Sequence, residues 1–567
     1  MDRARRLETN AEQTEAPVEI PPGPMLARRQ TQAYARPEPA PLRWAYVLWT
    51  LCIFALFCLH FPHLLADFPN NSPWMDYSKY TDEGWYGNAA IRYYLSGHWY
   101  LHGDFNPAVA LPVWPVLLAV LFRFTGVSLT AARSLGLAVF GANLLLAYAV
   151  VRAQAERWVA LLAVTLLVSS PFLYAFSRLA ILEPTLICFL LLSWLLALRL
   201  PRASTRVRAL VLIAIGLLLC LMVLSKTTAI FIIPSTLYLI ARAYDFRWAS
   251  WRALVIAATA AALPWCVWYF QLVRPHYRVD YQYLFEANHW PQPTTIGGWI
   301  AAFWYALHGV LWISPTLCVT AVALLLLPFI RHRFSKGSEA AFEEVSESHQ
   351  PSLWRSPLTV ASLLAAAGYV FFAGWHNSPQ PRYYETVIYP LSFVLGLGAA
   401  DLLRQSRPLL LRICGGAALV IMTTVAITGV FRIAGYVRHP EYTFLNAARG
   451  LTRYIDRHPG PNRLLLSISG DNIQLITHQP AICDDYGTWD LPYRIHIYRP
   501  GWYATWNEVD PGTLLDLSTQ YSLQRVAEFP AFDDPDRNLL VLYRMNPLPA
   551  SQQNYSAKDE EAANAGK

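Results

Sequence analysis

A series of apolar segments, each about 20 residues long, constrains this chain more than anything else in it. Helices of that length cross a hydrocarbon core about 30 Å thick. They recur at Trp44–Ala66, Arg133–Val151, Trp158–Phe176, Glu183–Leu198, Val207–Leu224, Thr228–Ala243, Ala253–Val273, Gly309–Ile330, Pro357–Gly374, Thr386–Leu403 and Leu410–Ile433. Hydrophobic residues make up 55% of the 567 and charged residues 15%, too little charge to clothe a soluble domain of this size. The chain therefore reads as an all-α polytopic membrane protein with about eleven spans.

The net charge of +7 does not point to nucleic acid. The arginines cluster in short connections between apolar segments, which is a topology signal and not a binding face. Cys52, Cys58, Cys188, Cys220, Cys266, Cys318 and Cys414 lie inside apolar runs, with only Cys483 in a polar region. Neither a disulfide framework nor a metal-spaced pair emerges. Residues 1–42 are rich in Arg, Glu, Pro and Ala and read as a disordered basic tail. The span after it has no cleavage-type motif and reads as a retained anchor.

Pro107–Phe124 is apolar but carries Pro107, Pro112, Pro115 and Arg123. If it only lies on or dips into the membrane, the Arg-rich connections near residues 152–157, 199–208, 242–252, 331–355 and 404–412 all share the side of the N-terminal tail. That side is then cytoplasmic, so Pro107–Phe124 is read as interfacial. The chain divides into a transmembrane domain, 43–433, with a long first outer loop at 67–132, and a small extracytoplasmic α/β domain at 434–549. A disordered tail follows at 550–567. Within the small domain, Glu441–Arg457 reads as a helix and Leu464–Ser469 and Leu539–Tyr543 as strands.

This topology places the conspicuous ionisable residues outside the cytoplasmic loops on one membrane face. Asp82 and Glu83 lie in the first loop within Tyr80-Thr81-Asp82-Glu83-Gly84-Trp85-Tyr86. Arg178 and Glu183 flank the second outer turn, Lys226 the third, and Arg382 the last. Carboxylates beside a bilayer are costly to keep and snorkel poorly, so a functional reading is favoured for Asp82 and Glu83. Two acids with two or three cations suit transfer of a sugar from a phosphate leaving group. A carboxylate takes the acceptor's proton while Lys and Arg neutralise the departing phosphate. Trp85 and Tyr86 are placed to stack on a sugar, although an interfacial aromatic belt is the commoner use of such residues. Asp471, Asp484, Asp485 and Asp490 are read as solvated loop acids.

The order of Asp82-Glu83-Gly84-Trp85-Tyr86, Ser96-Gly97, Phe124-Thr125-Gly126 and Ala132-Arg133-Ser134-Leu135 resembles the C-type (GT-C) polytopic glycosyltransferases. The nearest branch is that of the protein mannosyltransferases and aminoarabinose transferases. Ser177-Arg178-Leu179-Ala180-Ile181-Leu182-Glu183-Pro184, Leu224-Ser225-Lys226-Thr227 and Pro381-Arg382-Tyr383-Tyr384 fit the same pattern, so the resemblance covers roughly residues 43–404. It implies a polyprenyl-phosphate-linked sugar donor and a lipid, glycan or protein acceptor. Transfer would take place with inversion on the extracytoplasmic face of the cell (inner or plasma) membrane.

By position in that pattern, Asp82 matches the first-loop base, with Glu83 beside it as a second catalytic acid. Glu183 matches a second-loop acid that is often Asp in relatives. Arg178, Lys226 and Arg382 are the donor-phosphate cations, and Lys226 is followed by Thr227 where relatives have Gly. No cofactor is implied. An acid pair is compatible with a divalent metal, although no residues at metal-ligand spacing call for one. The competing reading is a multi-span transporter or lipid-linked glycan flippase, since charges within a helical bundle also mark substrate paths. The absence of a clear internal repeat counts against it.

Overall fold

The computed structural model of the chain describes residues 40–67, 74, 76, 78, 80–286, 291–334, 353–404, 408–460, 462–531 and 537–553. The expected tail at 1–42, apart from its last residues, and the end of the tail at 550–567 lie outside them. The architecture is a helical membrane domain carrying one small C-terminal sheet.

Among the described residues, seven helices are long and apolar enough to cross a membrane. The pair Ile296–Trp312 and Pro315–Leu327, bent by 106°, makes an eighth if it is one span. Arg43–Cys58, Arg157–Val168 and Thr227–Ala243 are apolar but shorter, and the eleven spans read from sequence are reached only if these cross too. Local chemistry explains the breaks. Trp158–Phe176 is divided into Arg157–Val168 and Pro171–Phe176 because Ser170 caps the second piece through its hydroxyl and Pro171 supplies its first residue. Proline tolerates that position, where no N–H is needed. Gly309–Ile330 likewise breaks before Pro315. Helix Ile296–Gly309, which falls between the apolar segments Ala253–Val273 and Gly309–Ile330, exposes Ile296, Ile300, Trp304 and Leu307.

The segment read as interfacial contains a helix at Val113–Thr125. Its 13 residues rise only about 20 Å, short of the hydrocarbon thickness. Trp114, Leu118 and Phe122 are buried on one side, and Val116, Val120 and Phe124 are exposed on the other. Both stripes follow the helical repeat, so one apolar face packs inward while the other is left for lipid.

Helix Leu409–Arg438 runs past residue 433, where the small domain was expected to begin. Helix Thr443–Arg457 buries Phe444, Leu445, Ala447, Ala448, Leu451, Thr452 and Ile455. These spacings make one apolar stripe on an otherwise polar helix. Five strands, β1 (Leu465–Leu466), β2 (Ala481–Ile482), β3 (Trp502–Trp506), β4 (Tyr521–Pro530) and β5 (Leu539–Pro547), are ordered β2-β1-β3-β5-β4. β1 is parallel to β2 and β3, and β5 is antiparallel to β3 and β4.

The first loop and the small domain grip one another. Tyr80 lies in the apolar cluster of Phe444, Leu451, Leu465 and Trp502. Asp104 bridges to Gly487, and the Thr488 and Trp489 amides donate to the Gly103 carbonyl at 3.0 and 3.1 Å. Gly84 makes the closest approach, since a Cβ there would sit 2.2 Å from the Asp471 backbone. Gly84→Ala must therefore separate two backbones, an overpacking cost of about 1–3 kcal/mol. Limited proteolysis is expected to cut the small domain faster in this variant than in wild type. Equal rates would show that the contact is slack.

Candidate active site

The site is assembled from the ends of apolar runs. Asp82 opens the short helix Asp82–Trp85, and Glu183 opens helix Glu183–Arg199 with Pro184 behind it. An acid at a helix N-terminus meets the positive end of the dipole. Lys226 sits in extended conformation between helix Thr205–Ser225 and the 3-10 turn Thr227–Phe231. Arg382 lies on the 3-10 turn Pro381–Tyr384, directly before helix Glu385–Leu402.

These four converge. Arg382 Nη2 lies 2.9 Å from Asp82 Oδ2, and its Nε lies 3.9 Å from Glu183 Oε1. Lys226 Nζ hydrogen-bonds to Glu183 Oε1 and stands 4.4 Å from the centre of the Tyr383 ring. Two residues that the sequence reading missed complete the cluster. Asp76 pairs with the Arg382 guanidinium and accepts from its backbone N–H at 3.0 Å. Glu385 is buried, close enough to Glu183, Lys226, Asp76 and Arg382 to couple with them electrostatically. Both carried a signal in the sequence. Glu385 opens an apolar run just as Glu183 does, and Asp76 precedes Asp82 in the same aromatic loop.

Four carboxyl groups thus share two cations. Asp82 Oδ1 accepts from the Thr81 hydroxyl at 2.9 Å. Its Oδ2 is buried beside Arg382 without an aligned hydrogen bond, as are Glu183 Oε2 and Glu385 Oε1. An acceptor oxygen without its full complement of donors in a buried site is ready to receive one from substrate. Burial pushes the Asp82 carboxyl above its ordinary range against the pull of Arg382. Tyr86 lies close enough to feel Asp82 and Arg382, and burial holds its phenol protonated. Trp85 meets Tyr86 edge-on and packs at a tilt against Phe105 and, from the small domain, Tyr486, at 5.1, 5.3 and 6.0 Å between ring centres.

Two residues grouped with these from sequence lie elsewhere. Glu83 turns away from Asp82 and is gripped by Arg133, with Nε and Nη2 at 2.8 and 2.6 Å from its two oxygens. The Ala180 amide also donates to it at 2.9 Å. Arg133 further donates to the Leu64 and Ala66 carbonyls at 2.9 and 2.5 Å. This pair ties together the first loop, the second outer turn and the end of the first apolar segment. Arg178 donates to the Pro62 and His63 carbonyls at 2.9 and 2.6 Å and to the Tyr174 hydroxyl. Its guanidinium is committed to holding the same turn and is not brought to the cluster. Among the described residues, no group of three or more His, Cys, Asp or Glu is arranged to hold a metal ion.

The acids of the small domain also differ from the sequence reading. Asp485 and Asp490 are exposed, but Asp471 and Asp484 are buried. Asp471 Oδ1 accepts from Arg92 at 2.9 Å, and the same Arg92 nitrogen reaches Asp104 at 2.7 Å. Burial, with Asp485 beside it, pushes the Asp484 carboxyl up to about 7. A carboxyl raised in the folded state contributes stability below its unfolded value, about 4, and loses it as pH rises through 7. Asp484→Asn is therefore expected to raise Tm relative to wild type, by an amount that grows from pH 5 to pH 8 and then levels off. Thermal unfolding across that range checks it, and a pH-independent difference would contradict the assignment.

The overall fold is GT-C-like. It superposes on the apo form of ArnT from Cupriavidus metallidurans with a TM-score of 0.55 at 14% identity, covering 91% of this chain and 100% of that one. It matches the same protein bound to undecaprenyl phosphate with the same figures. Residues 122–277 match the family model described as dolichyl-phosphate-mannose-protein mannosyltransferase. No curated protein sequence matches the chain. The likeness read from the first loop and the outer turns is thus upheld, and the chain is a multi-pass membrane protein of GT-C fold.

Proposed function

We propose that the protein is an integral membrane glycosyltransferase that moves a sugar from a polyprenyl-phosphate carrier to a lipid, glycan or protein acceptor, with inversion at the anomeric carbon. The observation that carries this reading is the juxtaposition of Asp82, holding one buried oxygen without an aligned donor, with the cations Arg382 and Lys226. The undecaprenyl phosphate bound by ArnT and the phosphate-linked mannose in the family model's description support the donor class.

In the proposed step, the acceptor's hydroxyl oxygen attacks the anomeric carbon and its proton passes to Asp82. The bond from that carbon to the phosphate oxygen breaks, and the polyprenyl phosphate leaves with the electron pair. Arg382 and Lys226 stabilise the charge that builds on the leaving phosphate, where fixed cations in a dry site act most strongly. The transition state has oxocarbenium character, which the neighbouring carboxylates favour. Trp85 and Tyr86 line the sugar or acceptor side. Glu183 and Asp76 act by holding Lys226 and Arg382.

The arginine-rich connections support a cytoplasmic N-terminus. The reaction then lies on the extracytoplasmic face of the inner or plasma membrane, with the 434–549 domain above it. Asp82 must be ionised to accept a proton, and its carboxyl is raised. The acid limb of kcat is accordingly expected to have its midpoint above the ordinary carboxylate value of about 4, with the rate falling as pH falls. A panel of sugar-linked polyprenyl phosphates, assayed in lipid between pH 4 and pH 9, tests both statements. A flat profile with good turnover would remove Asp82 as the base.

A further inference from the structure

We infer that the membrane face carries a groove for one acyl chain of an anionic glycerophospholipid, with Arg432 as the headgroup contact. The groove has a volume of about 390 Å³ and lies between Leu166, Ser170, Trp312, Leu317, Val425 and Arg432, within the range of about 300–1,000 Å³ usual for ligand sites.

Two adjacent helix breaks create it. One is the interruption between Val168 and Pro171, and the other is the 106° bend between Trp312 and Pro315. Straight helices would close the space that these bends leave. Helix Leu409–Arg438 forms its floor and comes so close to the first break that a Cβ at Gly429 would sit 2.2 Å from the Ser169 carbonyl oxygen. Trp74 forms the inner wall, its indole N–H donating to the Trp312 carbonyl at 2.8 Å.

The lining mixes apolar and hydroxyl-bearing side chains, with Leu166, Leu311, Leu317 and Val425 supplying its apolar part. Arg432 lies seven residues beyond Val425, a rise of about 10 Å, in the last two turns of the helix. It is exposed, and no ion-pair partner for it exists among the described residues. Phe431 and Ile427 beside it are exposed apolar residues suited to lipid. Its leucine and valine side chains suit hydrocarbon at membrane depth, and the Ser169 and Thr428 hydroxyls are turned onto the Thr165 and Val425 carbonyls at 2.7 and 3.0 Å. A guanidinium near the end of a spanning helix reaches the interface, where phosphate is its strongest partner. Charge complementarity therefore selects a net-anionic headgroup over a zwitterionic one, whose own ammonium competes with Arg432 for the phosphate.

Native mass spectrometry of the full-length protein, titrated with phosphatidylglycerol and with phosphatidylcholine of the same chains, tests this. The wild type is expected to retain one phosphatidylglycerol with roughly tenfold preference, about 1.4 kcal/mol. Arg432→Gln, a substitution at an exposed position, is expected to reduce that preference to near unity. Thr428→Trp, which fills the groove from another exposed position, is expected to abolish retention of both lipids while leaving thermal unfolding in detergent unchanged. Equal retention of the two lipids by wild type, or retention indifferent to both substitutions, would overturn the proposal. So would one-for-one displacement of phosphatidylglycerol by an equimolar polyprenyl phosphate, which would assign the groove to the donor's own chain. None of these readouts depends on sugar transfer, so the inference stands or falls apart from the proposed activity.

Discussion

Asp82→Asn is expected to lower sugar transfer by about a thousandfold while the protein remains folded. The side chain keeps its shape and can still accept from the Thr81 hydroxyl, so the short helix Asp82–Trp85 has no steric reason to move. What disappears is the base, and positioned general bases contribute about 10²–10⁴-fold. The substitution also removes one of the carboxylates that share Arg382. The remaining partner, Asp76, still anchors that guanidinium, so the phosphate-facing cation stays in place. The loss should fall on kcat more than on KM, because proton acceptance is made only in the transition state. Size-exclusion behaviour and thermal unfolding close to those of wild type complete the expectation.

Arg133→Met is expected to have the largest effect on stability. Glu83 is almost completely buried, and Arg133 supplies both of its charged hydrogen bonds. Removing one partner of such a pair leaves an uncompensated buried charge, at a cost of about 3–5 kcal/mol. The Leu64 and Ala66 carbonyls lose their donor in the same step. Little folded protein should survive extraction. Glu83→Gln combined with Arg133→Met should recover a substantial part of it, because no buried charge is then left alone. Fluorescence-detected size exclusion and thermal unfolding measure both. A well-folded but inactive Arg133→Met would instead move this pair from scaffold to chemistry.

The contrast between Asp82 and Glu83 shows what the sequence makes legible. Ionisable residues at the ends of apolar runs are visible in a linear reading, and Asp82, Glu183, Lys226 and Arg382 do meet. Which way each side chain points is not visible. Adjacent residues on a helix point about 100° apart, so of two neighbouring acids one reaches Arg382 and the other reaches Arg133. Arg178 shares a turn with Glu183 in sequence but is spent on the Pro62 and His63 carbonyls, a partnership set by a distant loop. The helical membrane domain was legible because its signal is long. Helix ends were less so, since Pro171 and Pro315 divide apolar stretches without changing their composition. In the small domain, helix Thr443–Arg457 has a clear apolar stripe and β5 opens on a continuous apolar run, whereas β2 has only two residues. The burial of Asp471 depends on Arg92 of the first loop, a long-range pairing with no local trace.

The most direct test of the central claim is transfer of radiolabelled sugar from defined polyprenyl-phosphate donors by the purified protein in lipid, wild type beside Asp82→Asn. The account predicts labelled acceptor product with wild type and about a thousandfold less with a folded Asp82→Asn. No product from a broad donor and acceptor panel, together with movement of lipid or solute across liposomes that does not depend on Asp82, would contradict it and leave a transporter in its place.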